Sequence, residues 1–499
     1  MELITQVLIG FIIIILGVYY YLISSWKFWE SKNVPGPKPT LPFGTVGDIV
    51  SGKHHIATYM KEIYETYPDE AIVGVYNVFE PIAVINNLDL IKDILIKDFS
   101  KFVDRGQEFN DYHEPLSAHL FNLEPKRWRP LRNKLTPIFT SGKLKDMFHI
   151  LVECADQMER NLEKYDGKIV DMREIPARYA TDVIGVCVFG LQANAIQDDN
   201  SLFRQMGRRI FDMNFKTASR ILIGSFFPNV YKIMGYFLQD RVLENFIFGI
   251  TKETMDYRKM NNIVKHDFVD LLMNLKNETG KLDNIELSDK LLAAQLFVFF
   301  AAGFETSSST IGNALYELAI NQSIQSELQQ EIIEALNKSD GKLTYDGIKD
   351  MKYLEKVYKE TLRKYPPLPF LTRRTVVPYE FAGTGIKVPA NTRVWLPIYG
   401  IQRDEKYYPN PDLFDPERFS DENVKQRHDM AFLSFGNGPR NCIGARFGTI
   451  QTKVGLITIL KNYQVEVCEK TDKSYDIKTR GILLAPKSGI FLKLKKVNY

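Results

Sequence analysis

Leu3 to Ile23 (LITQVLIGFIIIILGVYYYLI) is a run of 21 residues without a charge, and it constrains the chain more than any other feature. As a helix rising about 1.5 Å per residue it is about 31 Å long, and a bilayer core is about 30 Å thick. Tyr19, Tyr20 and Tyr21, then Trp26 and Trp29, suit a membrane–water interface. Lys27, Lys32 and Lys38 follow the run and only Glu2 precedes it, so the bulk of the chain is expected to face the cytosol. A cleaved signal peptide needs a basic start and a small-residue exit, whereas here the start is acidic and the exit reads Ser-Ser-Trp-Lys. Residues 1–25 are therefore read as a transmembrane anchor. Residues 26–45 form a linker stiffened by Pro35, Pro37 and Pro39. Residues 46–499 are read as one large body.

That body reads as mainly α with small β-sheets. Ala71–Val75 and Pro81–Ile85 form a hairpin pattern. Helical periodicity then prevails to about residue 365, including Thr181–Leu191 and a long apolar run from Ser288, a good helix cap, to about Asn321. Beyond Pro366 come β-like runs at Phe381–Val388 and Thr392–Pro397, a proline-rich meander, and a last helix over Ile443–Lys461. The net charge of +3 gives no reason to expect nucleic-acid binding. Four cysteines in 499 residues, at 154, 187, 442 and 468, exclude a disulfide scaffold and show no zinc spacing. A broken apolar stretch, residues 221–237, reads equally as core or as a peripheral contact with the bilayer surface.

The most informative segment is Phe435-Gly436-Asn437-Gly438-Pro439-Arg440-Asn441-Cys442-Ile443-Gly444. Its glycines permit a tight loop beside a flat ligand. A helix start and Arg440 favour a thiolate at Cys442. One cysteine cannot close a zinc site but can give one axial bond to a haem iron.

Phe435, Gly438, Arg440, Cys442 and Gly444 fill F-x-x-G-x-R-x-C-x-G, which resembles the haem-binding signature of the cytochrome P-450 family. Four more motifs of that family stand in order. Trp128 and Arg132 match W-x-x-x-R. Ala302-Gly303-Phe304-Glu305-Thr306-Ser307 matches the acid–alcohol motif of the long helix. Glu360 and Arg363 match E-x-x-R, and Arg418 lies in Pro416-Glu417-Arg418-Phe419. The resemblance spans the chain and implies the cytochrome P-450 fold with an N-terminal transmembrane helix. It implies haem b (iron protoporphyrin IX) with Cys442 on the metal. Arg440, Trp128, Arg132, Arg105 and Arg373 (with Arg374 as its rival) would hold the propionates. Gly303 would thin the helix beside bound oxygen, with Thr306 and Glu305 handling protons. Glu360, Arg363 and Arg418 would form a structural triad. Taken alone, the serines and threonines of the long helix could instead bond to their own carbonyls. Three positions depart from the family pattern: Ser434 where Pro is common, Gln402 where His is common, and Pro130 inside the Trp–Arg motif, expected in a first helical turn or at a kink.

The implied activity is monooxygenation of small lipophilic substrates with O2. Thr181-Asp182-Val183-Ile184-Gly185 and the wording after Cys442 resemble insect microsomal members that oxidise xenobiotics, plant toxins and insecticides. No flavin or nicotinamide fingerprint is present, so electrons are expected from NADPH–cytochrome P-450 reductase, with cytochrome b5 as a second donor, at the endoplasmic reticulum membrane. Lys126, Arg127, Arg129, Arg132, Lys134, Lys143 and Lys145, then Arg446 and Lys453, would offer that acidic partner a basic surface. Pocket walls are expected at Phe109–Phe121, Phe297–Ala302, Pro367–Thr372 and Gly481–Leu484. A biosynthetic hydroxylase of an endogenous lipid or hormone, a peroxide-rearranging thiolate-haem enzyme and a non-enzymatic haem protein are the alternatives. A single-pass receptor is opposed by the cysteine usage and the charge bias.

Overall fold

The computed structural model describes residues 2–265, 267–279, 281–282 and 285–497. Helices dominate and the sheets are small, as the periodicity implies. The elements gather into two compact units, each assembled from separate stretches of chain. One comprises Met1–Gly106, Leu368–Tyr407 and His428–Arg440; the other comprises Gln107–Pro367, Tyr408–Arg427 and Asn441–Tyr499. No linker marks these boundaries, so the hydropathy pattern reads as a single body.

In the first unit the amino-terminal helix Glu2–Ser25 carries its apolar side chains exposed and is long enough to cross a membrane. Trp26 and Trp29, expected at the membrane interface, are spent on the protein instead. The Trp26 indole donates to Val78 O (2.7 Å) and the Trp29 indole to Val75 O (3.2 Å). Gly74 makes room for Trp29, since a Cβ there would lie 2.3 Å from the indole. The proline lead is fastened too, because Gly74 N donates to Pro35 O (2.8 Å). These tryptophans tie the amino-terminal helix to a four-stranded sheet, which local hydropathy could not reveal.

That sheet runs in the order Ile72–Asn77, Glu80–Ile85, Arg393–Leu396, Leu371–Arg374. The expected hairpin pairs Ile72 with Ile85, antiparallel. Glu80–Ile85 then runs parallel to Arg393–Leu396, which pairs antiparallel with Leu371–Arg374. The β-like run Phe381–Val388 contributes only Lys387–Val388, paired with Tyr379–Glu380. Between those strands Gly383 and Gly385 sit at positive φ (74° and 69°), a backbone that turns rather than extends.

In the second unit the helix Asp289–Ile320 is capped by Ser288, whose Oγ accepts from Leu291 N (3.2 Å). It is buried from Leu291 to Leu296 and again from Ser307 to Ala319. The helix expected over Thr181–Leu191 begins earlier, at Glu174, runs to Ile184, widens into a π turn over Gly185–Phe189 and ends at left-handed Gly190. The last helix is Ala445–Leu460. It is held to the helix Lys352–Lys364 by Tyr358–Thr449 (3.1 Å) and Lys453–Glu355 (2.6 Å). Within residues 221–237 Tyr231 is buried, but Ile221, Phe227, Val230, Ile233, Met234, Tyr236 and Phe237 are exposed. The stretch falls on the helices Phe215–Phe226 and Pro228–Leu238, where Phe215, Ile233 and Phe237 are 89%, 78% and 73% exposed. The inner side is pinned by His113. Its Nε2 lies 2.6 Å from Lys232 O, and its ring sits where a Gly235 side chain would be.

Candidate functional site

The cysteine loop is held in place residue by residue. Gly436 and Gly438 take positive φ (67° and 72°), open to glycine at no steric cost. At Gly438 the close neighbour is backbone: a Cβ there would lie 1.9 Å from Leu95 O. Phe435 is half-buried, and Arg440 is buried. Arg105 Nη2 donates to Arg440 O (2.9 Å), so two of the expected propionate arginines meet within the first unit.

The same unit separates Arg373 from its rival. Arg374 is neutralised by Asp104 (2.8 Å). Arg373 is 2% exposed and faces no carboxylate among the described residues. Its Nη1 donates to Thr372 O and its Nε has no partner among them. Burial alone pushes its guanidinium down to about 10. A buried cation is costly unless an anion meets it, and a haem propionate has the required chemistry.

In the second unit Cys442 is exposed, three residues before the helix Ala445–Leu460, and no disulfide takes its sulfur. Trp128, buried, and Arg132 lie one turn apart on the helix Pro125–Leu135, as their spacing requires. Arg132 holds the residue before the cysteine: Nη1 donates to Asn441 O (3.1 Å) and Nη2 to Asn441 Oδ1 (2.9 Å). Burial lowers the Arg132 guanidinium, and the charge of Cys442 opposes that shift. Pro130 is in the second turn, because Pro125 already occupies the first. An exposed thiol at a helix start, beside an arginine, fits a thiolate ligand.

The long helix changes character at its middle. Between its two buried stretches Ala302 is exposed, and Phe297, Val298, Phe299, Ala301, Glu305 and Thr306 are half-buried. Thr306 Oγ1 donates to Ala302 O (2.6 Å), and Thr310 bonds back to Thr306 O in the same way. The helix carbonyls thus take up these hydroxyls, as the alternative reading of the segment foresaw. The space left by Gly303 is filled by protein: a Cβ would lie 2.4 Å from Ile184 Cδ1. Its smallness lets the helix Glu174–Ile184 approach, a packing role rather than room for oxygen. Glu305 pairs with Arg173 (3.1 Å), 132 residues away in sequence, a partner no local motif announces. Gln295 was also missed. Its Oε1 accepts from Leu120 N (2.8 Å) and its Nε2 donates to Ala118 O (3.0 Å), fixing part of an expected pocket wall. A lone amide in an apolar run was the available signal.

The expected triad forms. Arg363 grips Glu360 with two bonds of 2.8 Å, and both side chains are fully buried. Arg418 Nε is 3.4 Å from Glu360 Oε1, and Asp415 N donates to that same oxygen (3.0 Å). The basic surface is smaller than the sequence suggests. Lys453 is buried against Glu355, Arg127 pairs with Glu124 and Asp111, and Lys145 pairs with Asp346. Lys126, Arg129, Lys134 and Arg446 remain exposed, without an ion pair among the described residues.

The family model described as Cytochrome P450 matches residues 34–493. Probable cytochrome P450 6a14 of Drosophila melanogaster is 41% identical, covering 97% of this chain and 98% of the relative. Cytochrome P450 6A1 of Musca domestica is 38% identical, with 98% of each chain covered. Cytochrome P450 6j1 of Blattella germanica is 37% identical over 100% of this chain and 99% of the relative.

Proposed function

The chain belongs to the cytochrome P450 family and is a haem monooxygenase, and from that premise we propose that it is a membrane-anchored enzyme of insect type that oxidises small lipophilic xenobiotics with electrons from NADPH through a reductase. The observation that carries the haem-thiolate assignment is the exposed Cys442 thiol at the mouth of a helix, its loop held by Arg132 through Asn441.

Haem b, when bound, supplies oxygen activation and C–H oxidation. The chain supplies placement. Cys442 Sγ would be the iron ligand, and Arg373, Arg440, Arg105 and Trp128 would hold the propionates. Arg132 acts mainly by fixing Asn441 and hence the ligand. Phe297, Val298, Ala301 and Ala302 offer substrate an apolar wall that excludes water. Thr306 Oγ1 holds a proton that it can turn away from Ala302 O, and the Glu305 carboxylate, steadied by Arg173, receives or releases one. NADPH-dependent oxygen consumption with a reductase, raised by lipophilic substrates, tests the reading. Turnover of hydroperoxides alone, without NADPH, would replace it with the peroxide-rearranging alternative.

The electron donor docks on the exposed cations. Changing Lys126, Arg129, Lys134 and Arg446 together to Glu should raise the apparent KM for reductase by roughly tenfold or more at low salt, with the ferrous carbonyl spectrum unchanged. An unchanged KM would remove these residues from the docking surface.

The helices Phe215–Phe226 and Pro228–Leu238 lie against the bilayer surface, at the endoplasmic reticulum with the catalytic part in the cytosol. Each large side chain that leaves water gains about 1.5–3 kcal/mol. Their amides should therefore exchange more slowly in lipid nanodiscs than in lipid-free, surfactant-free buffer. Ile233→Asp with Phe237→Asp should abolish that gain; equal protection in both settings would refute the contact.

A further inference from the structure

Two of the departures from the family pattern meet each other in the fold. Gln402, fully buried, ends the short helix Ile398–Ile401. Its Oε1 accepts from Leu433 N (2.9 Å) and from Ser434 Oγ (3.1 Å). Leu433 O in turn accepts from Gly436 N (2.7 Å), closing the turn that opens the cysteine loop. We propose that Gln402 is a positioning residue for the haem loop, its side-chain carbonyl clasping Leu433 and Ser434 so that the loop reaches Cys442 in register. The proposal rests on the haem-thiolate reading above.

The chemistry explains why the two departures occur together. An amide oxygen has two lone pairs and can take both donors at once. A neutral histidine ring has one acceptor nitrogen and could take only one of them. A proline at 434 would fix φ by itself, whereas serine leaves the backbone freer and needs an outside restraint. Downstream the stretch is held twice more within the same unit, by the close approach of Leu95 O to Gly438 and by Arg105 on Arg440 O. Gln402 supplies the upstream hold, and without it Leu433 N–H and the Ser434 hydroxyl lose a buried acceptor.

The test uses the full-length, haem-loaded protein and four variants: Gln402→Ala, Ser434→Ala, Ser434→Pro and the double variant Gln402→Ala with Ser434→Pro. Two readouts are taken: the share of the reduced carbonyl complex showing the thiolate-ligated band, and the rate of haem transfer to apomyoglobin. Gln402→Ala, which removes both bonds, should speed haem transfer about 30-fold, the equivalent of two lost hydrogen bonds at about fivefold each, and lower the thiolate share. Ser434→Ala, which removes one of the two bonds, should do the same more weakly and keeps the test alive should Gln402→Ala fail to fold. Proline at 434 should restore most of what Gln402→Ala loses, because it replaces the restraint by another route. Wild-type transfer rate and band in Gln402→Ala overturn the proposal. So does a loss that proline leaves unrepaired, which would make Gln402 a packing residue only. A wild-type protein with no thiolate band would instead defeat the haem-thiolate reading itself.

Discussion

Cys442→Ser leaves a protein whose reduced carbonyl complex lacks the thiolate-ligated band and whose NADPH-dependent oxygen consumption falls at least about 100-fold, since losing a mere supporting partner around a metal can already cost that much. The cause is charge. A thiolate forms near a helix start and an arginine, whereas a serine hydroxyl in the same place stays protonated and gives the iron no anionic electron density. Helical content and the melting of the apoprotein should change little, because Cys442 is exposed and its neighbours are fixed by Arg132 and by the helix that follows. A serine variant that kept the thiolate band would show that another side chain binds the iron, and every role assigned around position 442 would fall with it.

Glu360→Ala is expected to be the most damaging change away from the metal. Glu360 accepts two bonds from Arg363 and one from Asp415 N, and it faces Arg418 at 3.4 Å. Removing it strands the fully buried Arg363, and breaking one side of a buried pair costs about 3–5 kcal/mol. The segment around Asn410–Phe419 is hung on the same carboxylate, through Asp415 and through Arg418, which itself donates to Asn410 O (2.9 Å). Denaturant unfolding should show the loss, together with poor haem loading on expression. The exposed pair Lys356–Glu417 (2.8 Å) is the internal control. Lys356→Ala should cost less than about 1 kcal/mol. Equal effects from the two substitutions would mean that burial is not what gives the triad its weight.

Much of this was legible in the residues. Ser288 announced the long helix because capping is a local event, and the spacing of Glu360 and Arg363 placed both on one helical face. The alternation in residues 71–85 announced a hairpin for the same local reason. Cys442, Arg440 and the two glycines are neighbours in sequence, so their grouping needed no tertiary information. Other readings failed where the partner was distant. Trp26 and Trp29 look like interface residues until the strand Ile72–Asn77 is beside them. Lys453 looks like surface charge until Glu355 covers it. Gly303 looks like space for oxygen until Ile184 fills the gap.

The sequence by itself determined the amino-terminal apolar helix, long enough to cross a membrane, the helical character of the body, the cysteine loop and hence the family, because each depends on residues within a few turns of one another. Only the tertiary structure decided which of Arg373 and Arg374 remains without a carboxylate among the described residues, that Glu305 leans on Arg173, and that Gln402 meets Ser434. Such pairings join parts of the chain 32 to 270 residues apart, and a partner brought there by packing leaves no mark in the local pattern of either segment.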